Sequence, residues 1–243
     1  MVQSLSLHSL SLSSASLSSD IESLASEADS PASALEEAPT GDAESSEPAP
    51  FAGLPAPLQE ALEKRGFTRL TAVQAAVVAA LAEEREGGRN LRISSQTGSG
   101  KTIALGIALA ARVLGARGSV VGPRALIIAP TRELAMQVQS ELEWLFESAR
   151  GVRVDVVTGG TDVRQEKQRL RARPSILVGT PGRLLDHLRS GALAVGDVRE
   201  VVLDEADQML DMGFKDELDA IVALLPSERS SHLVSATFPA AVR

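Results

Sequence analysis

The sequence predicts an α/β fold with a mostly parallel sheet that carries helices on both faces. Short apolar runs, typical of buried strands, alternate with longer segments whose apolar residues recur at helical spacing. The clearest helical segment, residues 131–146, places Leu134, Val138, Leu142 and Leu145 on one side. Because such sheets bind ligands beyond the carboxyl ends of their strands, we expect the functional residues in the loops that follow the strands.

Six apolar runs are predicted as strands. They are residues 91–93, 125–129, 154–157, 175–178, 201–203 and 232–234. Two short helices are predicted before the first strand. One ends at Gly66, a residue typical of helix C-termini, and the next carries Val73, Val77 and Leu81 at helical spacing.

Residues 1–50 differ in composition from the rest of the chain. They are rich in Ser, Ala, Glu and Pro and hold nine of the 32 acidic residues but no Lys or Arg. With little to bury, this acidic segment is predicted to be disordered. Its Ser/Leu-rich start suggests an organellar transit peptide as the alternative, although it lacks the arginines of such peptides. We therefore expect an intracellular protein of the cytoplasm or nucleus, with plastid or other organellar targeting as the alternative.

Residues 51–243 are predicted to form one domain with almost balanced charge, since they hold 23 acidic residues and all 24 basic ones. Contacts with nucleic acid must therefore be local. The absence of cysteine excludes disulfides, thiolate metal sites and a cysteine nucleophile. No apolar run approaches the roughly 20 residues that span a membrane, so no membrane segment is expected.

A phosphate-binding loop is predicted between the first strand and the following helix. Gly98 and Gly100 lack a Cβ atom, so the backbone can turn tightly and direct N–H groups at an anion. The N-terminus of the helix adds partial positive charge, Lys101 adds a full charge, and Thr102 offers a hydroxyl to Mg²⁺. The strict pattern has glycine where Ser95 stands, so a chance loop is the alternative. The loop comprises Ser95, Gln96, Thr97, Gly98, Ser99, Gly100, Lys101 and Thr102.

An acidic turn follows the predicted strand 201–203. Asp204, Glu205 and Asp207 would repel one another without a cation. Beside a magnesium nucleotide, Asp204 can hold the metal and Glu205 can polarise the attacking water. Alone, the turn could equally be solvated surface, but a phosphate loop about 100 residues upstream favours the nucleotide site.

Seven short motifs occur in a fixed order along the domain. They are GFTRLTAVQ (66–74), SQTGSGKT (95–102), PTRELA (130–135), GG (159–160), TPGR (180–183), DEAD (204–207) and SAT (235–237). In this order they resemble the N-terminal RecA-like domain of a DEAD-box ATP-dependent RNA helicase. The resemblance implies a RecA-like fold that binds ATP and Mg²⁺.

The resemblance also implies which residues contact the nucleotide. Gln74, whose amide can both donate and accept, would pair with adenine, and Arg69 lies in the same motif. Phe51 would pack near adenine, with a core position as the equal alternative. The catalytic residues would be Lys101, Asp204 and Glu205, and Mg²⁺ would be held by Thr102 and Asp204, partly through water.

Five residues are implied as contacts for the RNA sugar-phosphate backbone: Arg132, Gly159, Gly160, Thr180 and Arg183. Guanidinium groups, glycine N–H groups and hydroxyls suit phosphate and carry no base code. We therefore expect RNA binding with little sequence preference. A surface salt bridge is the alternative for Arg183.

Three residues are implied to couple the nucleotide and RNA sites. Ser235 and Thr237 would hydrogen-bond toward Asp207, and a capped strand end is the alternative for Ser235.

The family that the chain resembles has a second RecA-like domain, whose arginine fingers complete the ATP site. None of its motifs occurs before Arg243. We therefore expect the ATP-binding half of an ATP-dependent RNA helicase that requires the second domain for full activity. The alternative is a non-catalytic ATP- or RNA-binding module.

Overall fold

A computed structural model describes residues 50–82, 90–94, 99–115 and 121–235. Its six strands form one sheet in the order β1-β6-β5-β2-β4-β3, and every neighbouring pair is parallel. The predicted parallel α/β fold is confirmed. The predicted disordered segment 1–50 lies, apart from Pro50, outside the described residues. The strands are β1 (Arg92–Ser94), β2 (Ala125–Ile128), β3 (Val154–Val157), β4 (Ile176–Gly179), β5 (Glu200–Asp204) and β6 (Ser230–Ser235).

Eight α-helices lie within the described ranges. Two precede β1, and most of the others connect successive strands. None of the described helices is long and apolar enough to cross a membrane. They are α1 (Ala56–Lys64), α2 (Ala72–Ala82), α3 (Lys101–Leu114), α4 (Arg132–Leu145), α5 (Val163–Arg171), α6 (Pro181–Arg189), α7 (Ala206–Asp211) and α8 (Lys215–Ala223).

The sheet separates two apolar cores. Along β2, Ala125 and Ile127 belong to one core, and Leu126 and Ile128 belong to the other, because successive side chains of a strand point to opposite faces. Apolar residues of α1 to α4 fill the first core, and those of α5 to α8 fill the second. Burial on both faces explains why the central strands are continuous apolar runs in the sequence.

All six strands end at the same edge of the sheet, here called the loop edge, because they are parallel. The loops that leave this edge contain many of the candidate residues. β1 leads to the phosphate loop, β2 to Arg132, β3 to Gly159 and Gly160, and β4 to Thr180, while β5 ends at Asp204. Parallel topology therefore gathers motifs that are far apart in the sequence.

Candidate functional site

The phosphate loop and the acidic turn meet at the loop edge. The Nζ atom of Lys101 lies 3.0 Å from Oε1 of Glu205, although the two residues are 104 positions apart. The two side chains are only 10% and 21% exposed, so the ion pair is largely shielded from water. The structure therefore joins the two motifs that the sequence predicted as one nucleotide site.

Gly100 forms the tight start of helix α3. Its φ angle is +86°, and a Cβ atom at this position would overlap the side-chain amide of Gln74. Glycine is therefore required both by its backbone conformation and by the close approach of Gln74. Lys101 and Thr102 follow as the first two residues of α3, where the N-terminus of the helix favours an anion. The remaining loop residues Ser95, Gln96, Thr97 and Gly98 lie outside the described residues.

Gln74 is fully buried and braces the phosphate loop. Its Nε2 donates to the carbonyl of Gly100 at 3.3 Å, and its Oε1 accepts from the N–H of Thr71 at 2.9 Å. The hydroxyl of Thr71 donates to the carbonyl of Ser99 at 3.0 Å. These bonds connect the 66–74 motif directly to the loop, and adenine recognition by Gln74 stays a prediction.

Two other predicted nucleotide contacts have different surroundings. Phe51 is 2% exposed and belongs to the first apolar core, which is the alternative weighed for it. Arg69 is exposed, in the turn before α2. Two residues of the segment between α1 and α2 contact Trp144. Phe67 stacks on it with ring centroids 6.0 Å apart, and the guanidinium of Arg65 lies 4.8 Å from the centroid of the same ring.

Asp204 is the last residue of β5 and is 5% exposed. Burial raises the pKa of its carboxyl to about 6, and the charge of Glu205 adds to the effect, while Lys101 opposes it. Glu205 has a φ angle of +53°, a left-handed conformation that is uncommon for residues other than glycine. Such strained residues cluster at active sites.

The two predicted magnesium ligands, Thr102 and Asp204, suit Mg²⁺ in their chemical type. The hydroxyl of Thr102 and the carboxylate of Asp204 are hard oxygen ligands of the kind Mg²⁺ prefers. Within the described ranges, no group of three or more His, Cys, Asp or Glu side chains is placed to hold a metal ion. Mg²⁺ sites commonly use one or two carboxylates together with phosphates and water.

Arg132 and Gly160, both predicted to contact RNA, lie side by side. A Cβ atom at Gly160, where φ is +80°, would overlap the guanidinium of Arg132. Arg132 is the first residue of α4, and the hydroxyl of Thr131 caps the helix by accepting from the N–H of Leu134 at 3.2 Å. A Cβ atom at Gly159 would meet open space. The loop after β3 and the start of α4 thus form one polar surface.

Arg183 has an internal partner. Its Nη1 lies 2.9 Å from Oε2 of Glu166, and the two side chains are 12% and 0% exposed. The alternative predicted for Arg183 was an ion pair on the protein surface. The observed ion pair is buried. Thr180 is half-buried immediately before α6, and its side chain makes no hydrogen bond that caps this helix.

Two of the three predicted coupling residues, Ser235 and Asp207, lie on elements that pack against each other. Ser235 is buried at the end of β6, in register with Ser94 of β1, and α7, which contains Asp207, packs against β6. Thr237 lies outside the described residues. Coupling through these side chains stays a prediction.

A hollow of about 540 Å³ separates the start of α4 from α7. Four of its eight lining residues carry a carboxylate, and one of these is Glu205, the partner of Lys101. The hollow therefore lies beside Arg132, because the residues on either side of Arg132 in the sequence line it. It also lies beside the acidic turn. The lining residues are Thr131, Glu133, Leu134, Gln137, Glu205, Asp207, Gln208 and Asp211.

Some polar residues that support the site were not among the predicted site residues. Thr71 and Glu166 are the clearest examples, since each bonds to a predicted site residue. The sequence nevertheless indicates that Glu166 is buried. It lies four residues before the buried Leu170 and hence on the apolar side of α5. A carboxylate on a buried helix face needs partners.

Comparison with known proteins agrees with the motifs. A sequence model of the DEAD/DEAH box helicase family matches residues 71–243. The chain is 40% identical over 191 residues to the DEAD-box ATP-dependent RNA helicase CshA of Geobacillus kaustophilus, with 79% of this chain and 39% of the relative covered. It is 42% identical over 197 residues to the chloroplastic DEAD-box ATP-dependent RNA helicase 3A of Zea mays, covering 79% and 25%.

A third relative is the ATP-dependent RNA helicase DbpA of Escherichia coli, 39% identical over 181 residues, with 74% of this chain and 38% of the relative covered. The chain thus spans between a quarter and two fifths of the length of these relatives.

Proposed function

Because the chain belongs to the DEAD/DEAH box helicase family, we propose that it is the ATP-binding half of an ATP-dependent RNA helicase. It binds ATP at the start of α3 and contributes the residues that hydrolyse it. The observation that carries this proposal is the 3.0 Å contact between Lys101 and Glu205, which unites the phosphate loop with the acidic turn.

The ion pair itself indicates how hydrolysis is prepared. Lys101 and Glu205 neutralise each other at this distance, and a phosphate bound at α3 would compete for Lys101. Glu205 would then be free to orient and polarise a water molecule for attack on the phosphate. Its left-handed backbone conformation holds the carboxylate at the turn immediately after Asp204.

Thr102 and Asp204 would hold Mg²⁺, partly through water. Burial and the charge of Glu205 oppose ionisation of Asp204, and a divalent cation beside it would favour the ionised form. When bound, the ion neutralises charge on the phosphates.

RNA is proposed to contact the loop edge on the side of β3 and β4. Support comes from the adjacent Arg132 and Gly160, the open space beside Gly159, and Thr180. Arginine, backbone and hydroxyl groups bind the sugar-phosphate backbone without reading bases. Full activity is proposed to need a second RecA-like domain. Targeting by residues 1–50 stays a prediction.

The test is calorimetric titration with Mg·ATP. Lys101→Ala should weaken binding by about 10- to 100-fold, the effect of losing a hydrogen bond to a charged group, with an unchanged circular dichroism spectrum. Lys64→Ala is the matched control, because Lys64 is an exposed lysine on α1 that pairs with Glu60. Equal affinities in all three proteins would refute the nucleotide site. Binding without RNA-stimulated hydrolysis, even with an added second domain, would favour a non-catalytic module.

A further inference from the structure

Glu166 is fully buried, and its carboxylate accepts four hydrogen bonds. Oε1 accepts from the backbone N–H of Thr158 at 3.0 Å and from the hydroxyl of Thr161. Oε2 accepts from Nη1 of Arg183 at 2.9 Å and from Nε2 of His187 at 2.7 Å. Since a carboxylate offers about four lone-pair sites, these four donors saturate it. We call these five residues the loop-edge cluster.

The charge of this carboxylate is supported by its surroundings. Burial alone raises the pKa of Glu166, but the hydrogen bonds from Thr161, His187 and Thr158 and the charge of Arg183 outweigh burial and lower it. The group is therefore an anion. Because an anionic carboxylate has no hydrogen to donate, Nε2 of His187 carries the hydrogen of that bond.

The four donors come from two separate parts of the predicted RNA site. Thr158 and Thr161 flank Gly159 and Gly160 in the loop after β3, while Arg183 and His187 belong to α6, the helix that follows Thr180. One buried side chain on α5 therefore ties the double-glycine loop to the start of α6. None of the seven sequence motifs contains Glu166.

We propose that Glu166 is a positioning residue for RNA binding, an inference that rests on the proposed function. It holds the glycine N–H groups and the start of α6 in the arrangement that meets successive phosphates. Without the carboxylate, the loop loses two anchors, and the nearly buried Arg183 and His187 lose their acceptor. A loop that must be ordered at the moment of binding gives weaker binding.

A second buried glutamate offers a matched control. Glu200 accepts from Nε2 of His232 at 2.7 Å and pairs with Nε of Arg112 at 3.3 Å. The N–H of Leu91 donates to Nδ1 of the same histidine at 3.2 Å. Leu91, Arg112, Glu200 and His232 form the opposite-edge cluster, because Glu200 is the first residue of β5 and Leu91 precedes β1.

Glu166→Gln is the decisive substitution. It preserves size, but its NH₂ group must replace one oxygen, and each oxygen of Glu166 faces two donors. The amide is therefore mismatched in either orientation. Glu200→Gln removes the same charge far from the loops.

Two measurements on the full chain separate positioning from RNA binding. The first is hydrogen–deuterium exchange of peptides covering 158–162 and 180–184, without RNA. We expect faster exchange there in Glu166→Gln and not in Glu200→Gln. The second is anisotropy of a fluorescein-labelled oligouridylate with Mg²⁺ and a non-hydrolysable ATP analogue. We expect RNA affinity to fall about tenfold in Glu166→Gln, as for one lost charged hydrogen bond, with unchanged nucleotide affinity.

The possible outcomes test two separate claims, the positioning role of Glu166 and its connection to RNA binding. Unchanged exchange in both peptides would overturn the positioning role. Faster exchange with unchanged RNA affinity would overturn its connection to RNA. If the unsubstituted chain does not bind RNA but exchange still rises, the proposed RNA contact at the loop edge fails while Glu166 still positions the loop. Equal effects of Glu200→Gln would mean that both substitutions act through general destabilisation, which also overturns the proposal.

Thr161→Val provides a milder version of the test. It removes the exposed hydroxyl that donates to Glu166 and also to the carbonyl of Thr158 at 2.7 Å, so the chain should remain folded even if Glu166→Gln does not. Faster exchange at 158–162 with weaker RNA binding is expected, and no change in either would contradict the role of this network.

Discussion

The two buried glutamate clusters use the same residue types at opposite edges of the sheet. In each, a glutamate accepts from Nε2 of a histidine at 2.7 Å and pairs with an arginine. At the loop edge, Glu166 bonds in addition to a backbone N–H and a hydroxyl of a loop. At the opposite edge, the backbone group involved is the N–H of Leu91, which precedes β1 and bonds to the histidine rather than to the glutamate.

The two clusters share their local chemistry and differ in their location. At the opposite edge, Nδ1 of His232 accepts from the N–H of Leu91 and Nε2 bonds to Glu200, so this side chain joins β6 to β1 and β5. At the loop edge, the same kind of network ends on segments that also carry predicted ligand contacts. Position in the parallel sheet, rather than residue type, therefore decides which of the two clusters adjoins the predicted RNA contacts.

The largest expected difference between the two edges is in ATP turnover. With a second RecA-like domain added, Glu205→Gln should lower hydrolysis by about 10²–10⁴-fold, because the amide cannot take up a proton from water. ATP affinity should stay within a few-fold. Steady-state ATPase assays with RNA would measure this, with Glu200→Gln as the variant that loses one carboxylate at the opposite edge. Turnover close to that of the unsubstituted protein would assign water activation to another residue.

The second-largest expected effect is a pH dependence of stability that arises at the loop edge. In the folded chain, Asp204 has a pKa of about 6, above its ordinary value of 3.8. As pH rises, this carboxyl therefore ionises in the unfolded chain before it ionises in the folded chain. Its contribution to stability should fall as pH rises from about 4 to about 6, by about 3 kcal/mol in total, and then level off.

Asp204→Asn removes that titration. Without nucleotide and Mg²⁺, its stability relative to the unsubstituted chain should rise between about pH 4 and pH 6 in urea unfolding. Asp211→Asn, an exposed carboxyl on α7, corrects for the general effect of removing one charge. A difference that shrinks with rising pH would mean that the burial of Asp204 has been misjudged.

The smallest expected difference is in stability between the two clusters themselves. Glu166→Gln should cost about 1–2 kcal/mol more unfolding free energy than Glu200→Gln, because its amide leaves buried donors unpaired. At Glu200, the carbonyl can still accept from His232, and the half-exposed Arg112 can turn to water. Urea unfolding of both variants measures this. Equal losses would show that the four donors around Glu166 readjust.

Much of the fold followed from local patterns. All six strands and the long helix α4 lie where apolar runs and helical spacing placed them, within a few residues. The phosphate loop was recognisable because glycines, a lysine and a threonine before a helix are close in sequence. Its association with the acidic turn was also predicted, and the contact between Lys101 and Glu205 agrees with it.

The sequence by itself determined the strands, the parallel sheet and the motifs at the loop edge, because these depend on residues within one turn, strand or loop. Only the tertiary structure decided that Gln74 braces the phosphate loop, that Phe51 lies in the core and that Arg183 pairs inside the protein. The physical reason is that a polar side chain acquires its partners from strand order and helix packing. Glu166 meets its donors only after β3, α5 and α6 come together, and burial then makes each of those hydrogen bonds necessary.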